Sequence, residues 1–227
     1  MRSALRNQYF WGLVALVLLV GVNVVKDPSF VQITINDGNL YGSLIDILRA
    51  SAPVLMIATG MTLVIATGGI DLSVGAVMCV AGAVSMEFLA NVPDPGSMTS
   101  VLSALGLSLG LSLVLGMVNG FFVSVLGLQP FITTLIMMLA GRGIAKVITA
   151  GQNTTATSAP FRWISNGYVL GFPVAFLIAL VVVAALALVV RRTALGLMIE
   201  SVGINPKASR MAGIRPRTIL FTVSAVS

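Results

Sequence analysis

Apolar residues in this chain come in blocks of about twenty, the length of helix that crosses a hydrocarbon core, rather than in the alternation of strands or the one-sided stripe of surface helices. The first block follows the aromatic cluster Tyr9-Phe10-Trp11 and runs without charge to Val25. Arg2 and Arg6 stand before it, as in a signal peptide, but Val22-Asn23-Val24 makes a poor cleavage sequence. An uncleaved first span is predicted, with its aromatics at headgroup level. Lys26 to Arg49 is mixed and polar, turns at Asn36-Asp37-Gly38-Asn39, and re-enters through Leu44–Leu48. Spans two and three are predicted over Ala52–Ile70 and Leu72–Val92, meeting at the break Gly68-Gly69-Ile70-Asp71. The turn Asn91–Gly96 leads to a fourth span, Leu102–Val125, and Gly127-Leu128-Gln129-Pro130 leads to a fifth, Phe131–Ile148. Ala150–Gly171 is a polar loop. Phe172–Val190 is the sixth span, and Ile219–Ser227 starts a seventh that is too short to cross.

The pattern describes one all-α polytopic transmembrane bundle over residues 1–227, expected to be incomplete at its C-terminal end, with residues 191–217 as a loop within it. Composition agrees: 57% of residues are hydrophobic and 9% charged, against roughly 25% charged in a soluble domain. Mean hydropathy is +1.04. The net charge of +6 does not point to nucleic acid. Arg191, Arg192, Lys207, Arg210, Arg215 and Arg217 are six of thirteen basic residues and cluster in the one loop. Short basic loops stay on the cytoplasmic side of a membrane, and six spans before the loop put Arg2 and Arg6 on that same side. A multi-pass protein of a bacterial inner membrane, N-terminus cytoplasmic, is the expectation.

The basic loop also encodes a short helix. Asn205 is a good N-cap, Pro206 fits the first helical position, Lys207–Ala212 can be helical, and Gly213 suits the left-handed residue past the end. Isolated helices this short are unstable in water, since about 12–15 residues are needed, so it is either held by a neighbour or is a solvated loop.

Several signals narrow the chemistry. There is no histidine, which removes His-based triads, and Cys79 is the only cysteine. Gly106-Leu107-Ser108-Leu109-Gly110 spells a nucleophile elbow, but inside an apolar run and without a base it is a decoy. Gly106/Gly110 and Gly116/Gly120 read better as two close-packing pairs facing different neighbours, making the fourth span central. None of the three lysines ends a Walker A sequence, so the chain does not bind ATP by a P-loop, and any ATP-driven step would belong to another chain. No catalytic residue, metal or cofactor is expected. Asp71 either caps the third span or lines a path; a carboxylate in a membrane segment raises both readings. Glu87 is read as snorkelling at a span end. Asn119 bonds a neighbouring helix or a sugar hydroxyl. Ser73, Ser108, Ser112, Thr133 and Thr134 supply further hydroxyls for a neutral solute.

Gly60–Val77, GMTLVIATGGIDLSVGAV, resembles the signature of monosaccharide permeases of ribose-type ABC importers, and Gln129–Gln152 resembles their P-F-I-x-T-L…R-G segment. Thr193–Ile214 is similar to their cytoplasmic loop through Gly203, Asn205, Ala208, Gly213 and Ile214. Within that family the wording is nearest to galactofuranose permeases. The resemblance implies a transport subunit without catalysis. It implies two permease copies, homodimeric or heterodimeric, in membrane lipid, with cytoplasmic ATP-binding subunits and a periplasmic sugar-binding protein. It makes Asn205–Gly213 a coupling helix, with Gly203, Pro206, Ala208, Met211 and Ala212 at the ATPase. Gly68, Gly69, Asp71, Ser73 and Asn119 are the candidates for the path or its helix break. Galactofuranose is the first substrate expected and ribose-like sugars the second. An ion-driven secondary transporter of a small neutral solute is the alternative; it would call for more ionisable groups deep in the spans.

Overall fold

The computed structural model describes residues 8–36 and 38–227, with side chains from Phe10 onward. Arg2, Arg6, the Tyr9 side chain and Asp37 of the first turn lie outside the described residues. The apolar blocks are helices: α1 (Gln8–Lys26), α2 (Ser43–Ala66), α3 (Val74–Asn91), α4 (Met98–Ser124), α5 (Pro130–Ile148) and α7 (Val174–Arg192). Five of them, α2 to α5 and α7, are long and apolar enough to cross a membrane, and α1 is apolar over Phe10–Lys26. Helices therefore stand in all six places where spans are predicted.

Boundaries shift where capping outweighs hydropathy. Helix α2 starts nine residues before Ala52 and takes in Asp46, Arg49 and Pro53, so the re-entry segment is its first turns. Pro53 has no N–H to offer the Arg49 carbonyl one turn back. At the far end, Gly68 adopts φ +77°, and the amides of Thr67 and Gly69 both donate to the Val64 carbonyl, at 3.1 and 3.0 Å. The helix is closed there by a left-handed glycine, as the Gly68-Gly69 sequence suggests.

The polar loop at 150–171 holds structure that its composition hides. It contains α6 (Ala159–Asn166) and the strand β3 (Tyr168–Val169), which pairs with β4 (Phe172–Pro173). A second hairpin, β1 (Thr34–Asn36) with β2 (Asn39–Tyr41), lies beside it, and the Leu40 amide donates to the Gly171 carbonyl at 3.1 Å. Arg49 of α2 fastens the pair: its guanidinium donates to the Tyr168 hydroxyl and lies 5.1 Å from that ring centre. Tyr41 and Tyr168 meet with their rings tilted at 51° and centroids 5.0 Å apart.

The basic stretch is also more ordered than a loop. It folds as α8 (Ala194–Ile204), α9 (Pro206–Met211) and the start of α10 (Pro216–Val226). Leu63 and Val64 of α2, Ile199 and Val202 of α8, and Ile219 and Val223 of α10 form one buried apolar cluster. The apolar run from Ile219, predicted to start a seventh span, thus belongs to a packed helix. Its main partner is α4. A Cβ on Gly116 would stand 2.8 Å from the Ala225 carbonyl oxygen, and one on Gly120 2.9 Å from that of Phe221. This pairing order makes α10 antiparallel to α4. Gly141 of α5 meets Ala76 of α3 in the same way.

Candidate functional site

Three residues singled out from sequence converge below the Gly68 break. Asp71 Oδ1 accepts from the Ser73 amide at 2.8 Å and from the Ser73 hydroxyl at 2.6 Å. Asn119 of α4 donates its Nδ2 proton to Ser73 Oγ at 2.7 Å. The result is a directed chain from α4 through Ser73 to the carboxylate. All three are buried, Asp71 at 7% exposure, Ser73 at 1% and Asn119 at 2%. Capping falls elsewhere than expected: Ser73, not Asp71, is the N-cap of α3, and its own side chain makes no cap bond because the hydroxyl is turned to Asp71. Asp71 acts one step earlier, fixing the residue that begins the helix.

The chain of bonds leaves acceptors over. Asn119 Oδ1 is buried with no partner among the described residues. Among the described residues Asp71 Oδ2 accepts only from Ser227, at 3.1 Å. A buried acceptor without a donor costs about 1–3 kcal/mol, so this spot suits a hydroxyl-bearing guest or water. A cavity of about 290 Å³ opens here between α3, α4 and α10; its walls are mostly apolar, with Val74, Val77, Leu109 and Leu113 among them, and Asp71, Ser73, Ser112, Asn119 and Ser224 form a polar edge. Ligand pockets start at roughly 300 Å³, so it is at their small end. Ser108, Thr133 and Thr134 do not join it. Ser108 donates to the Ala104 carbonyl of its own helix, and the two threonines to carbonyls at the start of α5. Thr134 also donates to the Ile70 carbonyl at 3.3 Å, holding the α2–α3 turn against α5. Ser224 gave no signal in sequence, since it lies in what reads as an unfinished apolar run.

Gly203 sits on the opposite flank of that turn. A Cβ there would fall on the Ala66 carbonyl oxygen, so only glycine allows α8 to approach the end of α2 this closely. Two residues later Asn205 caps α9, its Oδ1 accepting from the Lys207 and Ala208 amides at 3.0 Å each. Gly213 closes the segment with φ +86°. Both ends of the short helix are as the sequence writes them, although it ends at Met211 with Ala212 as C-cap. Its other predicted contact residues are exposed: Ala208, Ala212 and above all Met211, at 91%. Ile204, 86% exposed beside them, was not singled out from sequence. Ser209 is buried, its hydroxyl donating to the Asn205 carbonyl. Glu87 does not simply snorkel; its carboxylate accepts from Asn91 at 3.0 Å and from Thr154 at 3.2 Å.

A bundle of apolar, membrane-length helices with a small cavity that has a polar edge, and a short capped helix held outside it, suits a permease subunit. The chain belongs to the family described as branched-chain amino acid transport system / permease component, which it matches over residues 43–227. It is 52% identical over its whole length to the fructose import permease protein of Bifidobacterium longum (strain NCC 2705). It is 46% identical, over 95% of its length, to the galactofuranose transporter permease protein of Escherichia coli K12. The ribose import permease protein of the same strain is 35% identical over 93% of the chain. The chain spans 64%, 61% and 63% of the lengths of these three relatives. No solved structure matches it.

Proposed function

We propose that the chain forms part of the membrane path of an ATP-driven importer of neutral monosaccharides, working with a cytoplasmic ATP-binding subunit, a periplasmic sugar-binding protein and a second permease copy. The observation that carries this reading is the Asp71–Ser73–Asn119 chain at the cavity, with an acceptor left over on Asn119. A sugar offers several hydroxyl donors and no charge, which suits such an edge. The names of the relatives, fructose, galactofuranose and ribose, support the class. Galactofuranose no longer stands ahead of fructose, whose permease has the higher identity. In this reading α9 is the coupling helix, α8 and Gly203 carry it against the α2–α3 turn, and residues 191–217 with the N-terminus face the cytoplasm of a bacterial inner membrane.

The test is uptake by vesicles holding the full permease with its ATPase and binding protein, offered fructose, galactofuranose and ribose. ATP-dependent uptake of one sugar is the expected result. Uptake of an amino acid that no sugar competes with would overturn the substrate class, and uptake driven by an ion gradient without ATP would favour the secondary transporter. For docking, Met211→Glu should leave membrane insertion intact and abolish co-purification with the ATPase, because burying an unpaired carboxylate in a groove is costly. A normal complex in that variant would make α9 a solvated turn. For orientation, an impermeant thiol reagent on intact cells should label Thr155→Cys and spare Met211→Cys in a Cys79→Ala background.

A further inference from the structure

Three arginines at the α9–α10 turn pair with no acid among the described residues. Arg210 lies in the last turn of α9, Arg215 is the N-cap of α10, and Arg217 lies in its first turn. All three are exposed. The only ion pair among the described residues joins Arg49 to Asp46, far along the chain. The three do not simply fringe a convex loop. With Ile214, Pro216 and Thr218 they line a depression of about 430 Å³. No side chain caps α10 there, so the positive end of its dipole faces the same place. The walls are fixed by the fold: Pro216 is buried, Ser209 ties the turn by accepting the Ile214 amide on its carbonyl at 3.0 Å, and Gly213 holds its left-handed bend.

The height of this depression matters as much as its charge. Two residues past Arg217 the apolar run of α10 begins with buried Ile219, which packs into the cluster with α2 and α8. This height rests on the orientation proposed above: with residues 191–217 on the cytoplasmic side, α10 enters the bilayer at that point and sets Arg215 and Arg217 at headgroup level, where phosphate groups lie. Guanidinium groups present paired donors that match phosphate oxygens, and they do so better than ammonium groups.

We propose that Arg210, Arg215 and Arg217 form a binding site for the phosphate of an anionic lipid headgroup, seated between α9 and the start of α10. The site lies next to the docking helix and stands whichever sugar the transporter carries. Lipid bound there clamps the turn that joins α9 to a helix packed on α4.

The test uses the full permease purified in mild detergent and exposed to equal amounts of phosphatidylglycerol and phosphatidylcholine, with retained lipid counted by native mass spectrometry. Selective retention of phosphatidylglycerol is expected. The pair Arg215→Gln with Arg217→Gln should bring its retention down to that of phosphatidylcholine. The pair Arg191→Gln with Arg192→Gln removes the same charge from the other side of the loop and should keep the preference. Arg215→Lys with Arg217→Lys retains charge and fold, and should retain the lipid less well than arginine. Adding inorganic phosphate separates the sources: survival of the lipid supports a headgroup site, whereas its displacement at millimolar phosphate identifies a free-phosphate site and overturns the lipid assignment. Equal loss in both glutamine pairs, or no preference in the unaltered protein, reduces the cluster to diffuse charge and overturns the proposal.

Discussion

The two halves of α4 carry the same spacing of glycines and use it differently. Around Gly116 and Gly120 the backbone of α10 lies so close that a methyl group would meet its carbonyl oxygens at 2.8 and 2.9 Å. Around Gly106 and Gly110 nothing among the described residues stands within 4 Å of where a Cβ would be. The Gly116–Gly120 half is also where Asn119 reaches Ser73, whereas Ser108, between Gly106 and Gly110, bonds only within its own helix. A pair of glycines permits close approach; it does not supply the neighbour. What supplies one here is a helix that begins about a hundred residues later in the chain, at Pro216.

The packing contrast itself is tested first at Gly120. Gly120→Val would press on the Phe221 carbonyl and on the Phe221 ring, whose Cδ2 is 3.2 Å from the built Cβ. Backbone gives way less readily than a side chain, so overpacking should destabilise by about 1–3 kcal/mol. Denaturant titration in detergent micelles would measure it, and an unchanged midpoint would mean that α10 does not pack as described.

Next comes Asp71, which organises the same half of α4 through Ser73. Asp71→Leu removes the acceptor of a buried amide and a buried hydroxyl, and each unsatisfied group costs about 1–3 kcal/mol. Expression should fall. Asp71→Asn keeps an acceptor for Ser73 and should fold. If Asp71 only fixes the start of α3, Asp71→Asn retains transport; if its second oxygen meets the solute, uptake drops at normal protein level. Equal, severe loss of uptake in both variants at full expression would defeat the purely structural role.

Much of this was legible in sequence because bilayer length, caps and special backbone positions are local. The helices, the left-handed Gly68 and Gly213, and the Asn205 cap follow from residues close to one another. Asp71, Ser73 and Asn119 could be picked out as polar groups in apolar runs. What was not legible depends on distant partners. Nothing near Gly106 says that it faces outward and that Gly116 does not. The α6 helix and the β3–β4 hairpin were hidden by a Thr- and Ser-rich composition, and Gly203 shows its purpose only against the Ala66 carbonyl. Asp71 was read as a cap because charge and position suit one, yet the helix starts at Ser73 once the Asp71 side chain has taken hold of that residue's amide and hydroxyl.

A smaller effect on stability, but an informative one, is expected at Asn119. Asn119→Leu is close to isosteric. It loses one hydrogen bond, worth about 1 kcal/mol net, and also removes a buried acceptor that has no partner. The two changes oppose each other, so the unfolding midpoint should move little. Uptake should nevertheless fall if the free oxygen receives a sugar hydroxyl. Unchanged uptake and unchanged stability together would leave Asn119 without a part in either packing or transport.

The smallest effect belongs to the other glycine pair, and it closes the comparison. Gly106→Val places its side chain where no protein atom lies within 4 Å. Glycine costs about 1 kcal/mol relative to alanine in a helix interior in water, and surface substitutions away from special features usually stay within about 0.5 kcal/mol. A bilayer-facing valine on α4 should therefore be neutral or slightly stabilising. The measurement is the same titration, run beside Gly120→Val so that the host, detergent and substitution are shared. A difference of about 1 kcal/mol or more between the two would confirm that packing, not the glycine spacing, sets their roles. A loss at Gly106 as large as that at Gly120 would show that both faces of α4 are packed, and the distinction between its halves would fall.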